Sequence, residues 1–127
     1  AGVAIAASVA VGQGETDEEL VGTLLRLREL PGLTSVRVWA AEGSGAFGAV
    51  ANTATDHLRA LALARLVLPS SVSVSASPET EGLGVLQASL RAGCDHAGSL
   101  VLIGAPEAWA ERIAAVKHHV AETGLTV

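Results

Sequence analysis

The sequence has few aromatic residues and little sulfur. Its 127 residues include two Trp, one Phe and one Cys, and neither Tyr nor Met. A single cysteine excludes a disulfide within the chain, so the composition favours a reducing, cytoplasmic setting. Half of the residues are hydrophobic, mainly Ala, Val and Leu. That is enough for one compact domain, residues 1–127, with an aliphatic core.

The charge balance and the apolar runs exclude two classes of partner. The chain has 8 basic and 13 acidic residues and a formal net charge of −5. A nucleic-acid surface would need clustered Lys and Arg, and we expect none here. The apolar run from Val3 to Val11 is far shorter than the roughly 20 residues of a membrane-spanning helix. It also lacks the basic flank of a signal peptide, so we expect no membrane partner.

Four apolar segments alternate with four segments of helical periodicity. The first residue is Ala1 rather than Met, and a strand begins almost at once, so we expect the chain to be part of a longer protein. Strands are predicted at Val3 to Val11, Val36 to Ala40, Val72 to Ala76 and Ser99 to Ile103. Helices are predicted from Thr16 to Leu30, from a cap at Thr55 or Asp56 to Pro69, from Pro78 and Glu79 through Arg91, and from Pro106 to about Glu122.

This order predicts an α/β fold of four parallel βα units. Four such units form either a small doubly wound sheet or half of an eight-stranded barrel, and periodicity does not choose between them. A glycine-rich stretch from Glu42 to Asn52 is predicted to be a loop after the second strand.

Three segments of the chain carry patterns that occur together in one enzyme family. The run from Ser8 to Thr16 is similar to the pattern G-x-I-x-G-x-x-E, with Gly12 and Glu15 in place and Ser8 and Ala10 as departures. The run from Leu58 to Pro69 resembles the family's helix before the seventh strand, and the run from Leu90 to Ser99 is similar to its turn that enters the last strand. Together they resemble the second half of radical S-adenosylmethionine enzymes, in the group of biotin synthase, deazaflavin synthase and futalosine cyclase.

The resemblance implies the C-terminal half of a (β/α)8 barrel from an enzyme of cofactor or vitamin biosynthesis. Such an enzyme generates a 5′-deoxyadenosyl radical from S-adenosylmethionine at a 4Fe-4S cluster. The family holds the cluster with a C-x-x-x-C-x-x-C loop, whereas this chain has only Cys94. The cluster ligands are therefore expected outside this segment, in a missing N-terminal half-barrel or in a second chain.

The resemblance places the cofactor beside the first predicted turn, at Gly12, Gln13, Gly14 and Glu15. From the residues alone, the two glycines fit either close contact between backbone and ligand or a tight turn between strand and helix. Glu15 fits either a ligand contact or a carboxylate that accepts neighbouring backbone N–H groups at the start of a helix.

Four further residues are candidates for binding a small-molecule substrate. Arg37 and Trp39 lie two apart on the second predicted strand and are expected to share a face, where Arg37 could anchor a substrate or remain solvated. Ser75 and Ser77 alternate with hydrophobic residues on the third strand. They could form hydrogen bonds with a substrate or belong to a layer of small residues.

The remaining reactive side chains receive structural roles, and no catalytic residue or metal ligand is predicted. Cys94 is expected to be a small buried thiol, and Asp95 could fix the tautomer of His96 or raise its pKa. Adjacent His118 and His119 cannot chelate one ion on a helix. Arg59 and Arg65 are expected to form structural pairs.

Two alternatives remain open. The chain could be a cluster-free relative that serves as a scaffold or partner subunit without activity. It could also be a small doubly wound domain that binds a nucleotide at Gly12 to Gly14, although Asp17, Glu18 and Glu19 would repel a phosphate there.

Overall fold

The chain forms an α/β structure in which parallel strands alternate with helices. A computed structural model describes residues 2–41, 53–76, 78–98 and 106–125, apart from the side chains of residues 79 and 80. The elements are β1 (Ile5–Val11), α1 (Asp17–Arg28), β2 (Leu33–Ala40), α2 (Ala54–Val67), β3 (Ser73–Ser75), α3 (Pro78–Glu81), α4 (Leu83–Arg91) and α5 (Pro106–Glu122).

The three strands form one parallel sheet in the order β1-β2-β3. Arg37 in β2 is paired with Ser8 of β1 on one side and with Ser75 of β3 on the other. Ser75 also makes an isolated parallel bridge to His96. The predicted α/β class with parallel βα units is therefore confirmed, while the predicted strand at 99–103 and the loop at 42–52 lie outside the described residues.

Capping boxes define the starts of α1 and α2. Thr16 Oγ1 accepts the backbone N–H of Glu19, and the Glu19 carboxylate accepts that of Thr16. The second box joins Thr53 and Asp56 in the same way. The prediction of a cap at Thr55 or Asp56 was therefore wrong, because Asp56 is the third helical residue and serves Thr53, the true cap.

The predicted single helix from Pro78 through Arg91 is two helices. Gly82 separates them, with φ of 80° and ψ of 166°, which is a conformation favourable only for glycine. An isolated glycine is tolerated inside a helical pattern, so periodicity alone did not reveal this break. Helix α5 has its predicted bounds.

The sheet has two different faces. The core face carries the valines of the strands and packs against the helices in one continuous cluster. Val36, Val38 and Val74 are fully buried there, as are Leu24 of α1 and Leu61 of α2. Leu86 of α4 and Val116 of α5 belong to the same cluster. The helices that contribute to this core therefore lie on one side of the sheet.

The opposite side, here called the polar face, carries the alternate residues of each strand. Because side chains alternate along a strand and parallel partners point the same way, its members follow from the register. They are small or polar: Ala6, Ser8 and Ala10 of β1, Ser35, Arg37 and Trp39 of β2, and Ser73 and Ser75 of β3. None of the helices that the structure describes is long and apolar enough to cross a membrane.

Candidate functional site

A row of polar side chains crosses the centre of the polar face. Ser8, Arg37 and Ser75 occupy paired positions on three neighbouring strands, and His96 continues the row through its bridge to Ser75. Neighbouring strands lie about 4.8 Å apart, so the four residues span roughly 14 Å. The sequence brought Arg37 and Ser75 forward as candidates, and the fold places them side by side.

A groove of about 390 Å³ runs along this row. Arg37 is half-buried within it and Ser75 is 8% exposed. The described side chains that line the groove are small or polar, and none of these is a carboxylate. The lining residues are Ala6, Ala7, Ser8, Ser35, Arg37, Ser73, Ser75, His96 and Gly98.

Trp39 lies one rung further along β2, opposite Ala10. Its position two residues after Arg37 puts both side chains on the polar face, as alternation predicted. Ser77, the fourth candidate for substrate binding, lies outside the described residues.

His96 does not interact with Asp95 in the way that the sequence suggested. The Asp95 carboxylate accepts hydrogen bonds from Ser73 Oγ at 2.6 Å and from the Val74 backbone N–H at 2.9 Å. It also forms an ion pair with Arg65. The Nδ1 atom of His96 instead accepts the backbone N–H of Gly98 at 2.9 Å. The expectation that Asp95 orients His96 is wrong, because the carboxylate is held by β3 and by α2.

The turn between β1 and α1 is closed by Glu15. Its two carboxylate oxygens accept the backbone N–H groups of Gly12 and Gln13, each at 2.7 Å. Gly12 and Gly14 have φ angles of 88° and 93°, in the region that favours glycine. Both glycines are therefore needed for the turn itself, and Glu15 has the structural role that was one of its two predicted interpretations.

A cavity of about 200 Å³ lies beside this turn, between the first turns of α1 and α2. Arg59 spans its mouth, with Nε 3.4 Å from Asp17 Oδ1 and Nη2 3.4 Å from Asp56 Oδ1. All three side chains are largely exposed. The hydrogen bonds from Thr53 hold the pKa of Asp56 below its usual range, so this carboxylate is charged at neutral pH.

Cys94 is a buried thiol, as the sequence predicted. Its Sγ accepts the backbone N–H of Ala76 at 3.1 Å and donates to the carbonyl of His96 at 3.0 Å. Burial raises its pKa, so the nucleophilic thiolate is disfavoured. Within the described segments, no group of His, Cys, Asp and Glu side chains is arranged to hold a metal ion.

Sequence reasoning did not single out His57, which is 1% exposed near the start of α2. Neither ring nitrogen has a hydrogen-bond partner among the described residues. Burial lowers its pKa, and the nearby Glu81 carboxylate partly opposes that effect. Its spacing of three, four and seven residues from buried Ala60, Leu61 and Ala64 is the sequence signal that could have placed it in the core.

Comparisons with known proteins add no family to this description. No protein-family model matches the chain, and neither the search of curated proteins nor that of solved structures finds a match.

Proposed function

We propose that this chain is the C-terminal half of the barrel of a cytoplasmic radical S-adenosylmethionine enzyme, and that its polar face binds the substrate. The observation that carries the proposal is the row of Ser8, Arg37 and Ser75, which lies on the sheet face opposite the helices. Parallel strands with their helices on one side are the arrangement of a (β/α)8 barrel wall, whose other side faces the interior. The radical S-adenosylmethionine chemistry in this proposal comes from the resemblance in sequence.

Only part of the turn from Gly12 to Glu15 is available for contact with a cofactor. A Cβ atom built on Gly14 meets nothing within 4 Å, so a ligand can approach that backbone closely. The side chain of Gln13 is exposed beside it. The N–H groups of Gly12 and Gln13, however, already donate to Glu15. We therefore assign contact with S-adenosylmethionine to the surface of Gly14 and to the Gln13 side chain, while Gly12 and Glu15 hold the turn in shape.

The iron-sulfur cluster does not fit the residues of this chain. The sequence has one cysteine, and that thiol is buried and engaged with Ala76 and His96. Three thiolate ligands would have to come from elsewhere in a longer protein or from a second chain. We accordingly derive no chemical step within this chain, whose residues position ligands and exclude water.

Each substrate-facing residue has a distinct part in this proposal. The Arg37 guanidinium anchors a polar group, and Ser75 offers a hydroxyl beside it on the next strand. Trp39 provides a flat apolar surface one rung away, suited to stacking on a planar group. Ser77, which lies outside the described residues, is retained from the sequence as a further hydroxyl. A first half-barrel, or a second chain, would close the site opposite this wall.

The alternative is a cluster-free scaffold or partner subunit without catalytic activity. The single cysteine is compatible with it, since a protein that had lost cluster binding would need no other. The two readings differ in whether the turn at Gly14 still binds S-adenosylmethionine.

Calorimetric titration of the chain with S-adenosylmethionine tests the proposal. We expect measurable binding that weakens in Gln13→Ala, where an exposed side chain is removed and the backbone bonds to Glu15 remain. The control is Gly84→Ala, on α4 rather than at this turn, where a Cβ also meets nothing within 4 Å.

We further expect that the chain alone does not cleave S-adenosylmethionine, because it lacks the cluster ligands. No heat of binding from the folded wild-type chain would reject the proposal and leave the scaffold alternative. Equal binding by wild type and Gln13→Ala would reject the assigned contact.

A further inference from the structure

The edge of β1 that faces away from β2 carries a symmetric set of backbone groups. Ile5 and Val11 form backbone hydrogen bonds towards β2, and these bonds fix the direction of the residues that alternate with them. The N–H and C=O groups of Ala6, Ser8 and Ala10 therefore point to the other side, where they have no partner among the described strands. Ser8 is the middle residue of β1, so these outward groups are arranged symmetrically about it.

This symmetry lets β1 pair with a copy of itself. In an antiparallel pair, two opposed residues of the hydrogen-bonded type exchange both of their N–H and C=O groups. A twofold axis through Ser8, perpendicular to the sheet, sets Ser8 opposite Ser8 of the second copy and Ala6 opposite Ala10 of the second copy. Every outward donor then meets an acceptor. The side chains at these three positions are small, so they do not obstruct the approach of the second strand.

The same axis passes beside the middle of α1. An open groove of about 990 Å³ runs between the edge of β1 and this helix, and its described lining includes Ser8, Ala10, Glu18, Gly22 and Arg26. The three residues from α1 are each four positions apart, so they lie on one face of the helix. A Cβ atom built on Gly22, in the middle of the three, meets nothing within 4 Å, which leaves room for a second helix to pack there.

The charges on this face of α1 complement those of a second copy. A twofold axis perpendicular to the sheet makes the two α1 helices antiparallel, so Glu18 of each copy faces Arg26 of the other, with Gly22 of both copies between them. Both charged side chains are exposed. Among the described residues, Arg26 Nη2 donates to Thr23 Oγ1 at 3.2 Å, and neither Glu18 nor Arg26 forms an ion pair. Parallel helices would instead place like charges together, which is unfavourable.

We propose that the edge of β1 and the face of α1 formed by Glu18, Gly22 and Arg26 bind a second copy of this chain. In the resulting twofold dimer, the two β1 strands pair antiparallel and join the two sheets into one. The inference does not depend on the proposed function, which assigns S-adenosylmethionine to Gly14 and Gln13. Of the two partners that the proposed function allows, it commits to a second chain, since a first half-barrel would occupy the same edge.

Sedimentation equilibrium over a range of protein concentrations measures the dimer, and charge exchange locates it. Arg26→Glu and Glu18→Arg each place like charges across the axis, so each should raise the dissociation constant of the dimer about tenfold or more. Glu18→Arg combined with Arg26→Glu exchanges the two charges and should restore the wild-type value. The matched control is Arg28→Glu, exposed in the last turn of the same helix and outside the described lining of the groove, which should dimerise like wild type.

Amide hydrogen exchange of the wild-type chain gives an answer even where a variant fails to fold. The amides of Ala6, Ser8 and Ala10 should exchange more slowly as the dimer forms, because they become hydrogen-bonded. A chain that stays monomeric at every concentration would overturn the inference, and so would a dimer that leaves these three amides unprotected. S-adenosylmethionine binding is measured separately. A dimer that does not bind it would reject only the proposed function, and a monomer that binds it would reject only this inference.

Discussion

Arg65 Nη1 lies 3.1 Å from Asp95 Oδ2, so an ion pair connects the last turn of α2 to the segment that follows α4. The same guanidinium donates to the carbonyls of Leu68, Pro69 and Val72. One side chain thus supplies hydrogen-bond donors to the carbonyls at the end of α2 and in the loop that leads into β3.

Replacing Arg65 with Ala should be strongly destabilising. The change removes one donor from each of three carbonyls and from the Asp95 carboxylate, which keeps its bonds from Ser73 and Val74, and we expect the free energy of unfolding to fall by about 2–4 kcal/mol. Urea unfolding measures the difference. The matched control is Arg59→Ala, whose ion pairs are exposed and should be worth less than about 1 kcal/mol. Equal losses in the two variants would contradict the role given to Arg65.

Glu15→Gln should weaken the turn between β1 and α1. Each N–H of Gly12 and Gln13 donates to a different oxygen of Glu15, so in the same position an amide would place its NH₂ group, a donor, against one of them. We expect a loss of about 1–2 kcal/mol in the free energy of unfolding. Thermal or urea unfolding of the variant provides the measurement, and Glu18→Gln on exposed α1 is the control. A Glu15→Gln protein as stable as wild type would show that the carboxylate is dispensable.

His57 should make the protein less stable in mild acid. Its pKa in the folded state is lowered by burial from the ordinary value of 6.5, so the unfolded chain takes up a proton that the folded chain resists. Stability is therefore complete above about pH 6.5 and decreases as the pH falls towards the folded pKa, by at most about 1.4 kcal/mol per pH unit.

The control for this prediction is His57→Leu, in which the ring is replaced by an apolar side chain of similar burial. Urea unfolding at several pH values between 5 and 8 should give a flatter curve for the variant than for wild type. Parallel curves would mean that other groups cause the acid sensitivity.

The thiol of Cys94 should react slowly with a disulfide reagent in the folded protein. Burial and a raised pKa both disfavour the thiolate that attacks, so the rate should rise by orders of magnitude on unfolding in urea. Cys94→Ala should also cost about 1–3 kcal/mol in stability, because the Ala76 N–H loses its acceptor. Rapid labelling of the folded chain would show that the thiol is accessible.

Periodicity and capping signals predicted most of the fold. Hydrophobic patterns, an acidic first turn and a proline at a helix start predicted β1, α1 and α5, although β1 begins at Ile5 rather than Val3 and α1 ends at Arg28 rather than Leu30. The break at Gly82 was missed because a lone glycine does not interrupt the pattern. The true cap of α2 was missed because Thr53, Thr55 and Asp56 are all capping residues within four positions.

The candidate site was predictable only in its local part. Alternation placed Arg37 and Trp39 on one face, and Ser73 and Ser75 on another strand's matching face, because a strand has a fixed period of two. The register that sets Ser8, Arg37 and Ser75 side by side depends on tertiary pairing, which one sequence does not reveal. The same is true of Asp95, whose neighbour in the sequence is His96 but whose charge partner is Arg65.

β1 is an edge strand of the described sheet, and this affects how the protein behaves at high concentration. Ile5 and Val11 form backbone hydrogen bonds towards β2, so the alternate residues Ala6, Ser8 and Ala10 direct their N–H and C=O groups away from β2, to a side where no other described strand pairs with β1. Residues 5–11 contain neither a charge nor a proline, the usual obstacles to intermolecular pairing. Concentrated solutions should therefore accumulate associated chains, and protein concentration becomes a variable that determines how much monomer enters any titration.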